Sequence, residues 1–250
     1  MQTRVKTAAE ISAMRISGQM LATVLEDLRH SIKPGMTTQA VADRAAEKLD
    51  DLGGKPAFLG YQGFPDVICI SVNNQVVHGI PGDLVLKSGD IVGLDFGVVY
   101  KGMITDGAIS VIVGSSGDQE SKQLIRDTEA AMYAGIECLH DGVRVGDIGA
   151  AVGKVLNKGK YGIVRDLVGH GVGHELHEDP NIPNYGRTGT GPVLKAGMTI
   201  AIEPMATLGS EEVVVADDQW TVQTLDDSLS AHFEHTVLIT QDGYEVLTKL

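Results

Sequence analysis

Residues 94–106 read LDFGVVYKGMITD, an apolar hairpin pattern interrupted by Asp95 and Asp106. If the chain turns at Tyr100-Lys101, the centre of the stretch, residues whose numbers sum to 201 face each other and Asp95 lies opposite Asp106. Directly opposed side chains of an antiparallel pair have Cβ atoms roughly 5 Å apart. Two carboxylates at that separation repel, and the repulsion grows towards a low-dielectric core. Either a shared cation or a shared proton compensates it. The remainder of the chain has to decide between the two.

Outward from the hairpin, helices and strands do not strictly alternate. Thr7-Ala8-Ala9-Glu10 has the capping-box pattern, and Met14, Leu21, Leu25, Leu28 and Ile32 follow at helical spacing until Pro34-Gly35. A second helix is expected over 38–52, with Val41, Ala45 and Leu49 on one face. Strands are expected at 67–72, 90–99 and 103–113, then helices near 119–140 and 146–158, then strands near 163–168, 198–203, 212–216, 232–240 and 244–249. Adjacent strands joined by short turns predict an antiparallel or mixed sheet, an α+β class.

The chain echoes itself. LKSGDIVGLD (86–95) resembles LKAGMTIAIE (194–203), 108 residues on, and KPGMTTQAVADRAAEKL (33–49) resembles HDGVRVGDIGAAVGKVL (140–156), 107 residues on. Two echoes in the same order predict a duplicated unit, roughly 10–113 and 118–240, within one catalytic domain spanning 1–250. Under that alignment Asp95 corresponds to Glu203, so an acid ends the same strand in both halves.

Composition narrows the function classes. The chain has 250 residues, 43% of them hydrophobic, which suits one globular domain with a sizeable core. No run of roughly 18 apolar residues predicts a membrane span. The polar start MQTRVKTAAEISAMR lacks the apolar stretch of a secretory signal. Cys69 and Cys138 are the only cysteines, so no disulfide framework is expected and a cytoplasmic setting is the default. A net charge of −13 without any basic run argues against nucleic acid as a partner or substrate.

Further candidates accumulate around the two aspartates. VGHGVGHELHEDP (168–180) holds His170, His174 and His177 among glycines, without the spacing of a helical zinc site. Glu234 and His235 occupy opposite faces of an expected strand, Glu203 ends another, and His78 stands where an apolar run meets a turn. Singly, each has a structural explanation: a capped turn, a solvated strand end, a hydrogen-bonded surface imidazole. Together, several acids on apolar strands plus an imidazole suit Mn, Fe, Co or Zn in a five- or six-coordinate site. Bridging carboxylates suit two ions about 3.5–4 Å apart, a common hydrolytic arrangement.

At this point the chain resembles a known family. GYQGFPDVICISVNNQVVHGIPGD (60–83), LDFG with a second Asp eleven residues on, GHGVGHELHEDP, AIEP and WTVQTLDDSLSAHFEHTVLIT (220–240) are similar, in order and spacing, to the motifs of type I methionine aminopeptidases in their short bacterial form. The resemblance covers nearly the whole chain. It implies a pita-bread fold, two pseudo-symmetric halves around a curved antiparallel sheet with helices outside. It implies two divalent ions held by Asp95, Asp106, His170, Glu203 and Glu234, with Asp106 and Glu234 bridging. It implies removal of N-terminal methionine ahead of a small second residue, by attack of a metal-bridging hydroxide. His78 would contact the scissile amide nitrogen, His177 the developing oxyanion, and Glu203 would shuttle a proton to the departing amine. Tyr61, Phe64, Cys69, Leu176 and Trp220 would line the methionine pocket. The implied partners are nascent polypeptides, met by a monomer in possible transient contact with the ribosome. The chain departs from the family pattern at Phe58-Leu59, at Leu176 and at Gly107-Ala108, which puts the pocket's shape and the tuning of Asp106 in question. The rival readings are an X-Pro aminopeptidase or prolidase, a non-catalytic pita-bread binding protein, and an acid dyad sharing a proton. The dyad has no need of His170 and Glu203.

Overall fold

The computed structural model describes residues 4–250; the first three residues, part of the polar start read above, lie outside them. Thr7 caps the first helix as its motif predicts. Its hydroxyl accepts from the Glu10 N–H, while the Glu10 carboxylate accepts from the Thr7 N–H at 2.7 Å. Helix α1 spans Ala8–Ser31 and buries Met14, Leu21, Leu25 and Leu28. Helix α2 (Thr38–Leu52) is capped by Thr37 and closed by Gly53 in the left-handed conformation. Helices α3 (Gln119–Ile136) and α4 (Val145–Gly159) form the second pair.

Fifteen strands complete the described chain. The first half contributes β1 (Lys55–Pro56), β2 (Cys69–Val72), β3 (Gln75–Val77), β4 (Ile91–Tyr100) and β5 (Met103–Ile112). The second contributes β6 (Gly162–Ile163), β7 (Gly169–Gly171), β8 (Glu178–Ile182), β9 (Thr199–Ile202) and β10 (Met205–Thr207). It ends with β11 (Val213–Val215), β12 (Val222–Thr224), β13 (Ser230–His232), β14 (Glu234–Ile239) and β15 (Tyr244–Val246). The main sheet has nine strands in the order β1-β4-β5-β14-β9-β7-β8, with β2 also on β4 and β15 also on β14. Two three-stranded sheets, β13-β10-β6 and β11-β12-β3, flank it. Helices plus antiparallel pairings make the class α+β, as expected.

The hairpin register differs from the one expected. The chain turns at Lys101-Gly102, and Tyr100 pairs with Met103. Asp95 therefore faces Ala108, and Asp106 faces Gly97. The reason lies in the turn. Both central residues of a tight primed turn need positive φ, and Lys101 and Gly102 have φ of 49° and 79°. Glycine accepts that conformation at no steric cost, so it belongs inside the turn. The two aspartates keep the same face, as diagonal rather than direct neighbours.

Other expectations shift as well. The strand expected at 232–240 is two, broken at Phe233: β13 joins β10 in a small sheet, while β14 joins β5 and β9 in the main one. The strand expected at 163–168 is the short β6 alone, and the helix expected to run to residue 140 ends at Ile136. The histidine-rich segment 168–180, where no strand was expected, contains strand β7, which pairs with β8 and β9.

The core is continuous from helices to sheet. Leu21, Val41, Leu49, Ile70, Leu94, Phe96, Met132, Ile148 and Ile202 belong to one buried cluster. Ser17 of α1 donates to the Val98 carbonyl at 2.8 Å and shares a hydrogen bond with Thr105, so the first helix is held against the hairpin that carries both aspartates.

Candidate metal centre and peptide pocket

The sheet register itself assembles the acids. Cys69 of β2 pairs with Asp95, Asp95 with Ala108, and Ala108 with Glu234, one row across four strands. His235 pairs with Ile202, so one further residue along sets Glu203, just past β9, opposite Glu234. Asp106 lies two residues from Ala108 on the same strand. A cavity of about 310 Å³ opens over this row. All twelve residues to which the family resemblance gave a role line it: Tyr61, Phe64, Cys69, His78, Asp95, Asp106, His170, Leu176, His177, Glu203, Trp220 and Glu234. Two more, Phe58 and Gln62, line it as well.

Local contacts set the orientations. Thr236 fixes Asp106 from both sides: its hydroxyl donates to the Asp106 carbonyl at 2.8 Å and accepts from the Asp106 N–H at 2.9 Å. His170 Nδ1 lies 2.9 Å from the Gly171 carbonyl. A proton on Nδ1 donating to that carbonyl leaves the Nε2 lone pair free to face the acids. Nε2 lies 3.4 Å from Glu203 Oε1 and 4.0 Å from Asp106 Oδ2. Asn184 donates to the Glu203 carbonyl at 3.0 Å. The Tyr61 hydroxyl is 3.0 Å from His177 Nδ1, and the His177 ring packs on His170 with centroids 4.2 Å apart. Phe64 meets Trp220 edge-on at 5.2 Å. His78 holds a left-handed backbone, φ 60°, a strained state for a non-glycine residue and one that concentrates at functional sites.

The electrostatics suit a cation. Among the described residues no lysine or arginine lines the cavity. Burial pushes Asp95 up to about 7. Burial, and then the Asp95 charge, raises Asp106 well above the ordinary carboxylate range. Burial first, and then the neighbouring acids, raises Glu203 and Glu234 likewise. Burial lowers His170 to about 3 and His78 to about 4, in each case helped by His177, and it lowers His177 itself. Asp95 Oδ1 and Glu234 Oε1 are buried with no hydrogen-bond partner among the described residues. Such oxygens are costly to leave unmet, and a divalent ion meets them. Asp106, His170 and Glu234 each bring one ligand atom within 4.8 Å of the others. Hard oxygens with a single imidazole suit Mn, Fe, Co or Zn. The donor set therefore fits divalent metal.

His232 is a residue that reading the sequence missed. It is 2% exposed, its Nε2 has no hydrogen-bond partner among the described residues, and that nitrogen lies 3.8 Å from Glu203 Oε2. Burial, and then His78, lowers it to about 3. The signal was its two-residue spacing from Glu234, which on an expected strand puts both side chains on one face.

Comparison with known proteins gives the family. The model of metallopeptidase family M24 matches residues 12–241. The chain belongs to that family. Within M24 it is 45% identical over 243 residues to the methionine aminopeptidase of Clostridium perfringens, covering 97% of both chains. The crystal structure of methionine aminopeptidase from Thermotoga maritima superimposes with a TM-score of 0.97 at 46% identity, covering 100% of each chain. The prolidase of Pyrococcus furiosus shares the fold at a TM-score of 0.78 and 25% identity, and the chain covers 65% of it. The M24 chain is thus a metallopeptidase of the pita-bread fold, in the methionine aminopeptidase branch, as its motifs implied. Among the described residues no helix is long and apolar enough to cross a membrane.

Proposed function

We propose that this chain removes methionine from the N-terminus of peptides and nascent polypeptides, with preference for a small second residue. The observation that carries the reading is the gathering of four carboxylates and His170 beside an apolar pocket in one cavity. Full-length similarity to methionine aminopeptidases supports it. Asp95, Asp106, His170, Glu203 and Glu234 would hold two divalent ions, Mn, Fe, Co or Zn. Divalent ions bound there supply Lewis acidity towards a carbonyl and lower the pKa of water towards neutrality.

The chain's own groups do the rest. Tyr61, Phe64, Cys69, Leu176 and Trp220 take the methionine side chain, whose flexible thioether suits apolar and aromatic walls. When the Tyr61 hydroxyl donates to His177 Nδ1, the His177 proton sits on Nε2. From there it donates to the carbonyl oxygen as negative charge develops, a preorganised stabilisation. His78 meets the scissile amide nitrogen. Glu203, whose burial favours the protonated form, carries a proton to the departing amine. We extend the reading to a cytoplasmic monomer that meets nascent chains at the ribosome. Residues 10–113 and 118–240 would be duplicated halves of one catalytic domain, a view supported by the central order β4-β5-β14-β9.

The experiment is peptide cleavage by metal-stripped protein with Mn restored. Release of methionine from Met-Ala-Ser, with Ala-Pro-Ser untouched, is expected. Cleavage of Ala-Pro-Ser alone would transfer the chain to the X-Pro peptidases.

A further inference from the structure

Lys6 and Glu178 are 172 residues apart in sequence, yet their side chains meet at 2.9 Å with 0% and 1% exposure. Neither belongs to the cavity described above. A buried ion pair is weak evidence for stability, because desolvation offsets most of the attraction. Burial indeed lowers the Lys6 amine below its ordinary value, with Glu178 opposing. What the pair touches is more informative than its energy.

Glu178 directly follows His177. Its Oε2 takes the Lys6 ammonium, while its Oε1 accepts the N–H of His174 at 2.7 Å and of Glu175 at 3.3 Å. One carboxylate therefore closes the turn 173–178, which presents Leu176 and His177 to the cavity. Access for Lys6 depends on Gly173. A Cβ there would stand 2.5 Å from Lys6 Cε, and the residue's φ of +144° disfavours any side chain. The Lys6 N–H is anchored to the Gly197 carbonyl at 2.8 Å. A second tie runs in parallel: His174 Nε2 meets Glu10 Oε1 at 2.8 Å, and Glu10 is the capping-box residue of α1. The segment before α1 and its first turn thus brace the far side of the loop that carries His177. Among the described residues, Tyr61, through its hydroxyl and its stacked ring, and the His170 ring hold the His177 side chain from within the cavity.

We propose that the Lys6–Glu178 pair is a positioning device for His177, through which the segment before α1 sets the geometry of the oxyanion-facing imidazole. The inference rests on the aminopeptidase reading. A misplacement of about 1 Å in a catalytic group costs on the order of 10²-fold in rate.

The test uses Lys6→Met, which keeps the stem and removes the charge. Turnover of Met-Ala-Ser, bound metal, and hydrogen exchange at the His174 and Glu175 amides are measured together. The expected result is kcat lower by about 10- to 100-fold, KM and metal content near wild type, and both amides exchanging faster. Should Lys6→Met not fold, Lys6→Met/Glu178→Gln removes both charges of the pair together and loses the charge-assisted bonds all the same; the same kcat-selective loss is expected. A folded variant with wild-type kcat, or with unaltered amide exchange, overturns the proposal. If wild-type protein releases no methionine, the functional reading fails, while the exchange measurement still decides whether the pair holds the loop.

Discussion

Removing divalent metal from this protein should make its stability fall as pH rises above neutrality. Asp95 moves from 3.8 to about 7 in the fold, and at 1.36 kcal/mol per unit that is about 4 kcal/mol of cost for holding it ionised without a cation. Asp106, Glu203 and Glu234 are raised as well. A folded pKa above the unfolded value means that the native state holds protons the unfolded chain has released. Its stabilising contribution is complete below the unfolded pKa and is lost as pH rises through the folded one. The histidines act in the opposite sense. His170, His78 and His232 are lowered to about 3, about 4 and about 3, so they favour folding increasingly from pH 4 to 6.5 and change little above 7. The interval from pH 7 to 8 therefore isolates the carboxylates. Each proton retained there costs about 1.4 kcal/mol per pH unit, or about 3–5 °C in melting temperature for one such proton in a domain this size. Metal-loaded protein should lack the slope, because the ions take the place of the protons. Thermal unfolding of chelated and Mn-restored samples across this interval measures both. Coincident curves, or chelated protein that gains stability with pH, would refute the electrostatic account of the site.

Other expectations concern single residues. Asp106→Asn should reduce bound divalent metal below two ions per chain by elemental analysis; full retention of two would reject its assignment as a bridging ligand. His177→Ala should lower kcat by about 10²- to 10³-fold, and His78→Ala by about 10² or more, both with wild-type metal content. A variant of either with unchanged turnover leaves the mechanism. Trp220 is the only tryptophan, so free methionine should shift its emission saturably and free lysine should not; an unresponsive Trp220 lies outside the methionine pocket.

Much of the site was legible because its residues fall in long, ordered motifs, and all twelve line one cavity. The hairpin was legible as a hairpin but not in register. Placing the turn at the middle of the stretch ignored that Gly102 is the residue able to take positive φ, and so exchanged a diagonal pair of aspartates for a direct one. The break at Phe233 was hidden because 232–240 is uniformly strand-like; only the division of the strands between two sheets reveals it. Lys6 and Glu178 were beyond local pattern. Lys6 stands in a polar stretch and Glu178 in an acidic one, and only the tertiary fold brings them together across 172 residues.

The most direct measurement of the central claim counts metal and product in the same sample. Chelated protein is titrated with Mn while bound ions and methionine released from Met-Ala-Ser are recorded, alongside Glu234→Gln. The account predicts no release from chelated protein, release that grows with bound metal in the wild type, and little in the variant at any metal concentration. Undiminished methionine release from protein shown to contain no metal would contradict it.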